Sequence, residues 1–239
     1  MSSALQATER VPFYTGITAP IMRYHPAIVA QAFATMRAMY PGRVGIGVGT
    51  AEPPNEMAVC GGKWPSNTTR LEMLEEALTV MNRLWTSAKP ISFTGKYYTL
   101  NNAVLLTKPE DKVPVYVSAV GPLAANLAGR LGDHLISMAN NPQYIREELW
   151  PALEAGAREA GRDPNAMERV GHFVYVYDPD QVIHPEDLHQ DAGTVSGGAV
   201  FRAMASGPIS IFNSAELFTP KSVLSSLHSA DTFCFFSKI

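Results

Sequence analysis

Residues 113–137 read VPVYVSAVGPLAANLAGRLGDHLIS, and this stretch decides the fold class. Val113–Ser118 is a short apolar run rich in β-branched residues, and His134–Ser137 is a second one. Between them, Gly121-Pro122 leads into the helical segment Leu123–Leu131. A strand, a helix and a second strand joined by short turns form a right-handed crossover. This crossover predicts two parallel strands that lie side by side.

The same alternation continues on both sides of this unit. Three more strands are predicted, near residues 12–18, 43–48 and 170–177. The helical segments have apolar residues on one face or end at a proline or glycine; they run from Pro26 to Pro41-Gly42, over Leu71–Trp85 and from Gln143 to Ala160. The pattern predicts a five-stranded parallel sheet, which both a doubly wound sheet and a (β/α)₈ barrel satisfy.

Two connecting segments carry signals of their own. Ile91–Leu106 is predicted to be a hairpin that turns near Gly95. Gly49–Pro65 is rich in Gly, Pro and Asn and is predicted to be a loop, with Asn67 or Thr68 capping the helix that follows it.

The last quarter of the chain differs in character. Helical periodicity fades after Gln181, and only the end, Thr232–Ile239, is apolar and β-like. We therefore divide the chain into residues 1–180, a partial barrel, and residues 181–239, an atypical segment whose structure the sequence does not predict.

Composition excludes several classes of protein. The chain has 239 residues, of which 46% are hydrophobic and 17% charged, as is typical of a globular protein. A net charge of -3 gives no electrostatic footprint for nucleic acid. No apolar run reaches membrane-spanning length, and residues 1–10 lack the features of a signal peptide. Because Cys60 and Cys234 form no disulfide pattern, we expect a cytoplasmic protein.

Candidate chemistry follows the strands, because ligands of parallel α/β folds bind at the carboxyl ends of their strands. After the strand near residues 43–48 comes GTAEPPNE, in which Glu52 could protonate or hydrogen-bond a ligand. The structural alternative makes Glu52 a solvated loop charge and Asn55 a helix or turn cap.

A second candidate follows Ser118. The small-residue turn Ala119-Val120-Gly121-Pro122 stands directly before a helix, where free backbone N–H groups can bind an anion. The structural alternative is a tight turn without a ligand.

The third candidate region lies after the strand near residues 12–18. The chain must turn at Gly16, and His25 before Pro26 is interpreted as a helix-entry residue. No HExxH, CxxC or GxSxG motif occurs, so no metal site and no serine nucleophile are expected.

Several stretches together resemble one family. They read GITAPIMRYHPAIVAQAFATM, YPGRVGIGVGTAEPPNE, FTGKYYTL, VPVYVSAVGP and AGRLGDHLIS. From about Ser3 to Asp180 the chain is similar to the luciferase-like, coenzyme F420-dependent oxidoreductases, first to the secondary alcohol dehydrogenases and next to the glucose-6-phosphate dehydrogenases. The resemblance implies a luciferase-like (β/α)₈ TIM barrel, here incomplete, with strands three to seven recognisable.

The resemblance also implies roles for individual residues. Glu52 resembles the family's active-site glutamate, and Thr50 and Asn55 resemble its cofactor-contacting neighbours. Gly16-Ile17 matches a non-proline cis peptide that buttresses the cofactor ring. Val120, Gly121, Pro122 and Leu123 resemble the backbone loop that holds the cofactor phosphate. The implied cofactor is F420, with FMN as the alternative within the superfamily.

The implied reaction transfers a hydride between a small secondary alcohol and the deazaflavin. In the family a histidine takes the hydroxyl proton and a tryptophan stabilises charge at the end of strand two, but here no His is followed four residues on by Trp. Ala51 stands where a glycine is usual, and Arg146-Glu147-Glu148 where sugar-phosphate enzymes have a lysine. Three alternatives stay open: a sugar-phosphate dehydrogenase, an FMN-dependent monooxygenase and an inactive fragment. The full-length form is expected to be a homodimer.

Overall fold

The structure, a computed structural model, describes residues 1–139, 141–177 and 231–238. Its centre is a sheet of five strands in the order β1, β4, β5, β6, β7. The first four are parallel and the last is antiparallel to β6. Their bounds are β1 Ile46–Val48, β4 Val115–Ser118, β5 His134–Ser137, β6 Arg169–Tyr177 and β7 Asp231–Lys238.

The first expected strand is an extended segment beside β1. Parallel bridges join Phe13 to Val44 and Thr18 to Val48. Four of the five expected parallel strands are confirmed, and the first is present only as these two isolated bridges. Within the described residues the sheet is open rather than closed, as expected for part of the TIM barrel that the resemblance implies.

Burial on both faces explains why these strands read as continuous apolar runs. On β4 the consecutive residues Val115, Tyr116 and Val117 point to alternate faces and are all buried. Val44, Ile46 and Val48, which share one face, are fully buried as well. The helices cover the outer face. They are α1 Ser2–Ala7, α2 Pro26–Met39, α3 Pro53–Cys60, α4 Asn67–Thr86, α5 Pro122–Leu131, α6 Pro142–Tyr144 and α7 Trp150–Glu159.

Helices α5 and α7 pack with their backbones in close contact. A Cβ added at Gly129 would lie 2.1 Å from the carbonyl oxygen of Leu153. One added at Gly156 would lie 2.1 Å from the carbonyl oxygen of Asn126. The absence of a side chain at both positions therefore sets the distance between the two helices.

The hairpin and the β-like chain end are confirmed. Strands β2, Ile91–Thr94, and β3, Thr99–Ala103, are antiparallel, and the N–H of Gly95 donates to the carbonyl oxygen of Tyr98 at 2.9 Å in the turn. Strand β7 coincides with the apolar end of the chain. Within the described ranges, no helix is both long and apolar enough to cross a membrane.

Two local expectations are wrong. The predicted loop 49–65 contains helix α3, because Pro53 and Pro54 occupy its first turn, where a missing N–H costs nothing. Ser66, rather than Asn67 or Thr68, caps α4, its hydroxyl oxygen accepting from the N–H of Thr69 at 3.1 Å.

The helix predicted from Gln143 to Ala160 is not uniform. Between α6 and α7 it takes a π-helical turn over Ile145–Leu149, in which the N–H of Trp150 donates to the carbonyl oxygen of Ile145. Pro151 follows and has no N–H to donate to the preceding turn, which explains the wider hydrogen-bonding pattern there.

Candidate active site

Three strand ends meet at the candidate site. A Cβ added at Gly49, just after β1, would lie 2.2 Å from Cδ1 of Ile17 and 3.2 Å from Cβ of Ser118 at the end of β4. The N–H of Gly49 also donates to the carbonyl oxygen of Thr18 at 3.2 Å. The residues that follow these strands therefore share one edge of the sheet, as the parallel arrangement requires.

The peptide bond between Gly16 and Ile17 is cis, as the resemblance implies. Thr15 fixes the chain before this bond to β1, since its Oγ1 donates to the carbonyl oxygen of Gly47 at 3.0 Å and accepts from the N–H of Gly47 at 3.1 Å. The N–H of Thr18 donates to the same carbonyl at 2.7 Å on the other side. The side chain of Ile17 is 39% exposed at this edge.

The segment after β1 leads into helix α3. Thr50 and Glu52 are partly buried, and Glu52 occupies the cap position of α3 without a capping hydrogen bond from its side chain. Its backbone carbonyl accepts from the N–H groups of Asn55 and Glu56, both at 3.2 Å. Asn55 is exposed and lies inside α3, so the interpretation of Asn55 as a cap is wrong.

The turn after β4 is open. Gly121 occupies the cap position of α5, no side chain caps the helix, and a Cβ added at Gly121 would meet no atom within 4 Å. Val120 and Leu123 are 51% and 66% exposed, and Pro122 is the first helical residue. The hydroxyl of Tyr144 donates to the carbonyl oxygen of Val120 at 3.0 Å. The first-turn N–H groups of α5 are therefore accessible to an anion.

Contacts that the sequence did not predict support this edge. Glu56 is only 1% exposed, and its carboxylate accepts from the backbone N–H of Arg23 at 3.1 Å. The hydroxyl of Tyr98 donates to the carbonyl oxygen of Ile21 at 2.7 Å. Pro53-Pro54 is a signal for the start of a helix, and a helix that begins there has Glu56 on its buried face. The prediction of a loop over residues 49–65 missed this signal. His25 caps α2 through Nδ1, which accepts from the N–H of Ala27 at 3.2 Å, so the helix-entry interpretation is confirmed.

A groove lined by charged side chains lies elsewhere. It has a volume of about 570 Å³ near the amino end of β4, and its charged side chains include Lys112, Asp133 and Arg162. Asp133 forms ion pairs with both Lys112 and Arg162. Among the side chains that the structure describes, no group of three or more His, Cys, Asp or Glu could hold a metal ion.

Comparison with known proteins agrees with this geometry. The F420-dependent glucose-6-phosphate dehydrogenase of Gordonia bronchialis is 42% identical over 182 residues, covering 75% of this chain and 54% of the relative. That of Microbacterium testaceum is 40% identical over 174 residues, covering 72% of this chain and 51% of the relative. The chain thus spans about half the length of the curated relatives it matches.

Among solved structures, an F420-dependent secondary alcohol dehydrogenase in complex with an F420-acetone adduct superposes with a TM-score of 0.69. It is 54% identical in sequence, and the match covers 71% of this chain and 51% of the other. Residues 1–190 match the family described as luciferase-like monooxygenase. The chain therefore belongs to the luciferase-like monooxygenase family.

Proposed function

We propose that this chain holds coenzyme F420 at the shared strand edge, as the cofactor-binding part of an oxidoreductase that acts on a small secondary alcohol. The contact of Gly49 with both Ile17 and Ser118 carries the proposal, because it brings the segments after three strands to one place. The 54% identity to an F420-dependent alcohol dehydrogenase supports the same cofactor.

The residues present fit such a cofactor. The exposed Ile17 side chain offers an apolar surface to a flat ring. Gly121 leaves open space in front of the first turn of α5, where backbone N–H groups can hold a phosphate. When bound, F420 supplies hydride transfer at C5 of its deazaflavin ring.

Glu52 is the residue of this edge that can act on a substrate. Its carboxylate is partly buried and makes no capping hydrogen bond, so it is available to accept a hydrogen bond from an alcohol hydroxyl. We assign it the role of orienting that hydroxyl. Thr50 and Asn55 flank Glu52 and supply polar contacts to the cofactor.

Charge near the site favours an alcohol over a sugar phosphate. The segment after β5 starts with α6, whose Tyr144 donates to Val120 in the candidate phosphate turn. The exposed Glu147 and Glu148 follow within one turn. Together with the neighbouring Arg146 they give this stretch a net charge of -1, so it offers a substrate phosphate no net positive charge.

A sugar-phosphate dehydrogenase is the second candidate, since the curated relatives carry that name at 40–42% identity. Reduction of bound F420, followed through the deazaflavin absorbance, separates the two substrate classes. Reduction with 2-propanol and none with glucose 6-phosphate is expected. Reduction with the sugar phosphate alone would favour the second candidate.

The cofactor itself is tested by fluorescence titration of the chain with F420, followed by competition with FMN. We expect F420 to bind and FMN not to displace it at equal concentration. Tighter binding of FMN would overturn the cofactor assignment and favour a monooxygenase. Glu52→Ala removes the acceptor; it should leave F420 affinity within about threefold, which is about 0.65 kcal/mol, and strongly lower any alcohol-dependent reduction.

A further inference from the structure

Helix α3 and the loop that precedes α2 are joined by one buried carboxylate. We call residues 18–25 the 18–25 loop; it directly follows Gly16-Ile17. Glu56 belongs to α3 and is 1% exposed. Its Oε2 accepts from the backbone N–H of Arg23 at 3.1 Å, and its Oε1 lies 3.5 Å from Nη2 of Arg23.

This arrangement is selective for a carboxylate. A carboxylate is acceptor-only, so it can serve a backbone N–H and a guanidinium at the same time. Arg23 itself is partly exposed and stacks over the ring of Tyr24, with 4.9 Å from Cζ to the ring centre. Glu56 is therefore the buried partner, and the loop residue is the accessible one.

The two parts that Glu56 joins are those that bear the candidate site. Helix α3 begins directly after Glu52 and includes Asn55. The 18–25 loop begins directly after Ile17; hydrogen bonds of Thr18 join its start to β1, and the hydroxyl of Tyr98 donates to the carbonyl oxygen of Ile21. Loss of the Glu56 contacts would leave the two parts connected mainly through β1.

We propose that Glu56 is a positioning residue, which fixes the separation between Glu52 on one side of the cofactor pocket and Gly16-Ile17 on the other. It does not touch the cofactor. The inference rests on the proposed function, because the pocket is the one proposed for F420.

The experiment compares the wild-type chain with Glu56→Ala, Glu56→Gln and Glu75→Ala. Glu75 is a matched control, since its carboxylate pairs with Arg130 between α4 and α5 and touches neither part of the pocket. Amide hydrogen exchange of the 18–25 loop and α3 is measured, together with the Kd for F420 and the Tm.

Glu56→Ala should raise exchange in both segments and weaken F420 binding by at least about tenfold, which corresponds to about 1.4 kcal/mol. Glu56→Gln keeps an acceptor for the N–H of Arg23 but loses the ion pair with its guanidinium, so it should restore the protection and the affinity only in part. Glu75→Ala should lower the Tm without changing the amide exchange of the two segments or the Kd for F420. This pattern supports the proposal.

Two results for Glu56→Ala would overturn the positioning role while the proposed function stands. One is unchanged amide exchange of the 18–25 loop, and the other is raised exchange with an unchanged Kd for F420. If Glu75→Ala weakens F420 binding as much as Glu56→Ala does, Glu56 has only a general structural role and the positioning role is overturned too. If the wild-type chain binds no F420, the proposed function fails, and the inference that rests on it fails with it.

Discussion

The hydroxyl of Tyr98 donates to the carbonyl oxygen of Ile21 at 2.7 Å, which joins the β2–β3 hairpin to the loop beside the candidate site. Tyr98 is 6% exposed, and burial together with the nearby Glu76 raises the pKa of its phenol. The hydroxyl therefore remains a donor throughout the neutral pH range. Glu76 fixes the hairpin turn on α4, because its Oε2 accepts from the N–H groups of Tyr97 and Tyr98.

Tyr98→Phe should lower the free energy of unfolding by about 1 kcal/mol, the net value of a buried hydrogen bond. Tyr97→Phe is the matched control. It removes the hydroxyl that donates to the exposed Glu72 at 2.6 Å and should cost less than about 0.5 kcal/mol, as surface changes do. Urea unfolding of both variants measures the difference. Equal losses would show that the contact with Ile21 does not stabilise the loop.

Ala51→Gly should stabilise the chain. Ala51 has a φ of +63°, in the left-handed region that costs an L-residue about 1–2 kcal/mol. Glycine adopts this conformation freely but loses about 0.4–1 kcal/mol through the entropy of the unfolded state. A net gain of about 0.5–1 kcal/mol is therefore expected in urea unfolding.

The control is Ala155→Gly on the exposed side of α7, where φ is helical and the change should cost about 1 kcal/mol. A loss of stability in both variants would contradict the account of strain at Ala51.

The strands were predictable from the sequence because burial on both faces leaves no polar alternation. The consecutive buried residues Val115, Tyr116 and Val117 show this pattern most clearly. The ends of these apolar runs also located the turns that follow the strands, so Glu52 and Gly121 could be named as candidates from the sequence alone. Closure of the sheet was not predictable from these runs, since open and closed parallel sheets have the same local pattern.

The contacts that hold the candidate site together were not predictable. Glu56 accepts from Arg23 across 33 residues of chain, and Tyr98 contacts Ile21 across 77. Such pairs depend on tertiary packing and leave no local period in the sequence. The π-helical turn before Pro151 had a local signal, the missing N–H of the proline, but helical periodicity on both sides concealed it.

Gly129→Ala should separate α5 from α7. The added Cβ would lie 2.1 Å from the carbonyl oxygen of Leu153 and 2.5 Å from the backbone nitrogen of Ala157, and neither atom can move without its helix. Overpacking of this kind costs about 1–3 kcal/mol. Gly121→Ala meets no atom within 4 Å and should stay within about 0.5 kcal/mol of the wild type. Thermal unfolding compares them, and a Tm of Gly129→Ala equal to that of Gly121→Ala would contradict the close packing.

His134 should make the stability of the chain depend on pH. Burial is the largest cause that lowers its pKa, against the opposing charges of Glu168 and Asp133. In the folded chain its neutral Nδ1 accepts from the N–H of Glu168 at 3.1 Å, and the ring lies 4.5 Å from that of Tyr116. Below the ordinary histidine pKa of about 6.5, the unfolded chain binds this proton more readily than the folded chain does.

The contribution of His134 is therefore complete above about pH 6.5 and is lost as the pH falls through the lowered pKa of the folded state. His134→Asn keeps an acceptor near the position of Nδ1 but cannot titrate in this range. The free energy of unfolding of both proteins is measured in urea between about pH 8 and pH 5. Toward the acid end, the wild type should lose stability relative to the variant, because only the wild type has a histidine here. A wild-type free energy of unfolding that rises relative to the variant as the pH falls would mean that the folded state favours the protonated ring, and would contradict the lowered pKa.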